Sequence, residues 1–299
     1  MTMSIRQHWV PQFYLRGFAT SPKGKTIWVT ELKDVYAGRY KASKESVKEV
    51  AYLEHLYSLP SAGGAFQLGK PAGKGWDDGV DKALQALEAE AGHVWKEITG
   101  LKRNLDLSPG SEARRTVARF LASMHLRNPR MAAVAKFAMT NKLVTDEQDL
   151  DQFYKAVANV PVDLSATTEG MIDRIPFIAV QVSELNEISS ILTDMHWTVQ
   201  YFSGNQAAGP LVTSDTPVFF VDRETMEPTL LDSADCAVYF PLSSRALLIA
   251  TRARTCSANG EISAGTPQGA DAINPFIVHY GQEQAYSGFE LTPKFEFLR

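Results

Sequence analysis

His8, Arg16, Ser214 and Asp215 are side chains whose types could do chemistry together. An imidazole changes charge near neutral pH and serves as a base or a metal ligand. A guanidinium grips a phosphate or carboxylate through two parallel hydrogen bonds. Asp215 can orient His8 or ligate a metal, and Ser214 can donate to a phosphate. Arg127 and Asn274 extend this to a substrate-binding set with Arg16. Glu54 and Glu88, with His8 and Asp215, are the candidate ligands of a divalent metal such as magnesium or manganese. The combination suits a hydrolase acting on a phosphodiester or nucleotide, with His8, Ser214 and Asp215 as its catalytic group.

Each of these residues also has a structural reading. Ser214-Asp215 ahead of Thr216-Pro217 makes a good Asx or ST turn that satisfies its own backbone. His8 can fix the N-terminal segment by bonding a carbonyl. Arg16 can pair with Glu54 or Glu88, and Glu88 can be the buried partner of Arg16 or Arg127. Arg127 at a helix C-terminus already gains from the helix dipole. The rival to the hydrolase is therefore a non-catalytic recognition or effector protein, of the kind used in conflicts with phage or mobile elements, whose polar residues form a structural network.

Two other motifs fail on chemistry. Gly64 to Lys70 (GAFQLGK) has the spacing of a phosphate loop, but Pro71 follows where Ser or Thr is needed. Arg119 and His125 have the spacing of the HEPN ribonucleases. On a helix turning about 100° per residue they point roughly 120° apart, and Phe120 stands where a polar residue is wanted. There is no HExxH pair for zinc and no Gly-x-Ser-x-Gly elbow for acyl transfer.

These side chains must be positioned by a helical centre and β-rich ends. Around the N-terminal motif, Pro11 to Arg16 reads as one helical turn capped at Gly17. Thr26 to Leu32 reads as a strand, with a second near Arg39 to Ser43. The Gly-rich stretch 61–79 reads as an exposed, mobile loop. Residues 80–99 place Leu84, Leu87, Ala91, Val94, Trp95 and Ile98 at helical spacing. Ser108-Pro109 is the expected start of the next helix and Pro129 its end, with a further helix at 130–143. Thr145 opens a capping box, and Ile175 to Leu192 predicts a long amphipathic helix. Strands are expected at 197–202, 210–213, 218–222, 237–240 and 246–251, and a last helix at 270–284 interrupted by Pro275. The sum is a single α+β domain over 1–299, its sheet joining both ends of the chain around a helical middle at about 80–195, the alternative being a helical domain inserted into a β domain. In it Tyr14, Leu15 and Phe18 should be buried against the C-terminal strands.

The run HWVPQFYLRGF (8–18) resembles the opening signature of a bacterial family known as the domain of unknown function number 4238. Later blocks are similar to that family's in the same order. They are VAYLEHLYSL (50–59), FLASMHLRNP (120–129), LVTSDTPV (211–218), FPLSSRALL (240–248) and Ile273-Asn274. Thr216 stands where the family most often has asparagine. The resemblance implies positions for a site and no reaction.

Composition narrows the setting. With 44% hydrophobic and 21% charged residues the chain is globular in character. A net charge of −4 argues against holding nucleic acid by bulk electrostatics, though a nucleotide or a local basic groove is compatible with it. No apolar run approaches the roughly 20 residues of a membrane helix. The two cysteines, Cys236 and Cys256, are too few for a disulfide framework. A cytoplasmic protein with reduced thiols is expected.

Overall fold

A computed structural model describes residues 6–20, 24–37, 39–54, 56–60, 76–77, 79–100, 105–141, 177–178, 184–202, 210–252 and 259–291. The phosphate-loop-like stretch and nearly all of the Gly-rich segment lie outside these residues, as do the capping box at Thr145 and Cys256.

The chain opens on β1 (Arg6–His8), which pairs antiparallel with β4 (Tyr52–Glu54) so that His8 faces Tyr52. Pro11, with its fixed φ, starts the single turn α1 (Gln12–Leu15). Gly17 does not end it, because the chain tightens into a 3₁₀ turn over Arg16–Phe18. β2 (Thr26–Glu31) and β3 (Ala42–Ser46) form a hairpin around the short α2 (Leu32–Tyr36). β5 (Leu59–Pro60) and β6 (Trp76–Asp77) pair with each other.

Two long helices carry the centre. α3 (Gly79–Thr99) buries Leu84, Leu87, Ala91, Trp95 and Ile98, the expected stripe save for half-buried Val94. α4 (Glu112–Leu126) is capped by Ser111, whose hydroxyl accepts from the Arg114 N–H. Ser108 is displaced from that role because Gly110, at φ +85°, turns the chain before the helix begins. Arg127 ends α4, and Pro129 starts α5 (Pro129–Asn141) rather than closing its predecessor. Of the long amphipathic segment, α6 (Leu185–Asp194) is described.

The C-terminal half supplies β7 (His196–Tyr201), β8 (Thr213–Ser214), β9 (Phe219–Asp222), β10 (Cys236–Ser243), β11 (Ala246–Thr251), β12 (Glu261–Ala264), α7 (Pro267–Tyr280) and β13 (Gln284–Ser287). One sheet runs β12-β7-β11-β10-β9, antiparallel except for the edge strand β12. The other runs β3-β2-β13-β8, so the N-terminal hairpin and the last C-terminal strand are hydrogen-bonded neighbours. This is the expected α+β architecture. α7 runs unbroken through Pro275.

Tyr14 holds the two sheets together. Its hydroxyl donates to the Pro241 carbonyl of β10 and accepts from the Thr213 hydroxyl of β8, at 2.8 and 2.7 Å. Its ring stacks on Phe240 at 5.2 Å and meets Trp95 of α3 at 5.7 Å. Tyr14, Leu15 and Phe18 are all fully buried, as expected. The motif at the chain's start is thus a central piece of the core, which fixes the neighbouring polar residues in place.

Candidate functional site

The polar residues next to this anchored segment open onto a cleft of about 450 Å³. β1 contributes Arg6, Gln7 and His8, and α1 with its following turn adds Gln12, Phe13 and Arg16. Lys48 and Tyr57 come from the turns on either side of β4. α3 adds Asp81, Gln85 and Glu88, and the end of α4 adds Arg127. The spacing of 81, 85 and 88 puts the three on one face of a 3.6-residue helix. Gln7 is the internal brace: it is buried, donates to Ser58 Oγ and accepts from the Tyr57 N–H, tying the 56–58 turn to β1.

The charged groups have unequal surroundings. Arg127 is 1% exposed, and its Nη1 donates to Glu88 Oε1 at 2.7 Å. Of the partners read from sequence for Glu88, Arg127 is thus the one bonded. The Glu88 side chain keeps 27% of its surface open to the cleft. Arg127 Nε and the Tyr57 hydroxyl are both buried and, among the described residues, have no hydrogen-bond partner. The Arg127 Cζ lies 5.8 Å from the centre of the Tyr57 ring. Arg16 is exposed at the rim, its stem against Gly24. The lining includes Arg6, Arg16, Lys48 and Arg127 beside Asp81 and Glu88, with Arg6 paired to Glu49 at 2.5 Å and Arg127 to Glu88.

His8 is the cleft's titrating group. Burial pushes its pKa below the ordinary histidine value of 6.5, partly opposed by a hydrogen bond to the Lys48 backbone and by the charge of Glu88. The ring is therefore neutral at physiological pH. Its Nε2 lies 3.4 Å from the Gln12 amide nitrogen, and its face is tilted 45° to Tyr52.

The structure brings His8, Arg16, Glu88 and Arg127 together, and it does not bring Ser214, Asp215 or Asn274 to them. Those three are committed to backbone. Asp215 Oδ1 accepts from the Gln282 N–H, and Oδ2 from Glu283 and Gln284, at 2.8, 2.8 and 3.3 Å. Burial nonetheless pushes this carboxyl up to about 6. Ser214 Oγ accepts from the Thr216 N–H, the ST turn read as the alternative. Asn274 accepts from the Val212 N–H and donates to the Pro210 carbonyl. The physical reason is burial without solvent: a polar side chain there must spend its bonds on the nearest orphan backbone groups.

The metal set is likewise dispersed. Glu54 is exposed and in register with Arg6, and Asp215 is held as above. Among the described residues no three His, Cys, Asp or Glu side chains gather as they would around a metal ion. Arg119 is exposed on α4, while His125 is stacked on Phe220 at 4.4 Å, so the ribonuclease-like pair does not converge. The cleft also holds Gln7, Gln12, Phe13, Lys48, Tyr57, Asp81 and Gln85, which residue type alone does not mark as site residues. Gln12 and Phe13 lay inside the signature, and the 81-85-88 spacing was the one available signal for the helix face.

A family model described as protein of unknown function (DUF4238) matches residues 6–288. The chain belongs to that family. No curated protein and no solved structure matches it. The matched span reaches from β1 to the start of the turn after β13 and includes every residue of the cleft. No described helix is long and apolar enough to cross a membrane.

Proposed function

We propose that the cleft is the active site of a cytoplasmic hydrolase acting on a phosphodiester or nucleotide, with His8 as general base and Arg16 and Arg127 holding the phosphate. The observation that carries this reading is a half-buried imidazole, its pKa lowered by burial, in one cleft with Arg16 and Arg127. An unprotonated imidazole can take a proton from an attacking water or hydroxyl. The cations then stabilise the negative charge that grows on the phosphoryl oxygens. Glu88 holds Arg127 in place, and Gln12 sets the face that His8 presents.

The test is turnover of nucleotide and nucleic-acid substrates by wild type and His8→Gln, each with magnesium, with manganese and with chelator. His8→Gln is expected to lose about 10²–10⁴-fold in kcat, the usual share of a general base, while its melting temperature stays within a few degrees. Absence of turnover on every substrate, or full activity in His8→Gln, sinks the hydrolase reading.

A second reading is recognition without catalysis. It is favoured by one observation: Ser214, Asp215 and Asn274 each bond backbone groups and lie outside the lining of the cleft. On that reading the cleft binds its anion and releases it unchanged, and the turnover assay separates the two.

A further inference from the structure

We infer that the wall of the cleft made by Arg127 and Tyr57 receives the terminal phosphate of a small, nucleotide-sized phosphate monoester. This rests on the cleft being a phosphate-ester site and narrows its substrate to a class. Arg127 Nε and the Tyr57 hydroxyl are two donors, both buried and both without a partner among the described residues. A buried donor left unpaired is unfavourable, and native proteins keep few of them. With the Arg127 Cζ 5.8 Å from the Tyr57 ring, an anionic group seated beside both is the acceptor this pair of donors calls for. Burial keeps the Tyr57 phenol protonated, so it stays a donor at any working pH.

Glu88 lines the same cleft and holds the other face of Arg127. Its carboxylate occupies Arg127 Nη1 but is partly open to water. An arriving phosphate can displace it, exchanging one anion for another on the same guanidinium. A terminal phosphate, with three free oxygens, can reach a buried wall. A diester in mid-strand is flanked on both sides and is held away from one. The cleft's volume agrees, since about 450 Å³ lies in the range of small-molecule sites. The chain's net charge of −4 also gives no long-range pull on a polyanion. At the rim Arg16 remains as the second guanidinium for the same phosphate.

Titration calorimetry on the full chain tests this with four probes: inorganic phosphate, adenosine 5′-monophosphate, adenosine, and a single-stranded DNA oligonucleotide without terminal phosphates. Phosphate and the monophosphate should bind competitively, and adenosine should not bind. Tyr57→Phe removes a hydroxyl that bonds nothing described, so its melting temperature should hold while the affinity for both phosphates falls about tenfold. Glu88→Gln, which weakens the competitor, should tighten phosphate binding. Unchanged affinity in Tyr57→Phe overturns the inference. So does binding of the oligonucleotide with none of phosphate or monophosphate, which would leave the phosphate-ester reading standing. If no probe binds, both fall together.

Discussion

Asp215 shows how a reactive-looking residue becomes structural. Its two oxygens take three backbone N–H groups at the turn that launches β13, and its own N–H donates to the Gln284 carbonyl. Removing the acceptor strands buried donors, each costing about 1–3 kcal/mol. Asp215→Ala is therefore expected to lose about 2–4 kcal/mol in chemical denaturation; a loss within the scatter of surface substitutions would show that the turn does not depend on it. His8 carries a pH dependence of definite sign. Its folded pKa is lowered below 6.5, so the folded state binds fewer protons than the unfolded one. The stability it contributes is complete above pH 6.5 and is lost as pH falls through the folded value. Wild type should lose this increment between neutral and mildly acidic pH, and His8→Gln should lack it. Identical pH slopes in the two proteins would contradict the assignment.

At the scale of elements, Arg114 and Gly260 seat the one parallel strand of the five-stranded sheet. The buried Arg114 guanidinium donates to the carbonyls of Leu107, Thr193 and Met195 and to Asn259 Oδ1, and it lies over the Trp197 ring. Asn259 Oδ1 also accepts from the Trp197 N–H, and Gly260 donates to the Trp197 carbonyl, so the turn before β12 is locked to β7. Gly260 sits at φ +85°, and a Cβ there would lie 2.8 Å from the Leu107 carbonyl oxygen. Backbone strain and overpacking together predict that Gly260→Ala costs about 2–4 kcal/mol, read as a drop in denaturation midpoint. A neutral outcome would mean that this turn is free to shift. The same elements show what was legible in sequence. α3 was, because its apolar spacing from Leu84 to Ile98 is unbroken over about four turns. β12 and β13 were not: EISA and QAYS are too short for alternation to register. In the site, His8, Arg16, Glu88 and Arg127 were legible from type and position. That Ser214, Asp215 and Asn274 lie outside the cleft was not legible, because a side chain that satisfies backbone and one that binds substrate draw on the same residue types. Tyr57 and Gln7 became visible only when the β1–β4 ribbon put them beside α3 and α4.

For the whole molecule, the question is whether helical middle and β-rich ends unfold as one. The main core is a contiguous set of buried side chains that includes Val10 and Tyr14 from the start, Trp95 and Phe120 from α3 and α4, Phe240 and Leu248 from the five-stranded sheet, and Tyr286 and Leu291 from the end. A smaller cluster of Leu56, Tyr57, Leu84, Ala132 and Phe177 lies against the wall of the cleft, and half-buried Trp9 packs on both clusters. Tyr14 bridges the sheets, and β13 lies between β2 from the N-terminal side and β8. Among the described residues α1 thus contacts both sheets and α3. Cooperative unfolding follows when every part depends on contacts made by the others. We therefore expect one transition in urea, with tryptophan fluorescence and far-UV circular dichroism giving coincident midpoints. Tyr14→Phe leaves the stacking in place but removes the hydroxyl shared by Thr213 and Pro241, so it should shift both curves together by about 1–3 kcal/mol. Two separable transitions, or a Tyr14→Phe curve in which only one probe moves, would divide the chain into a helical unit inserted in a β unit, and the single-domain reading would fall.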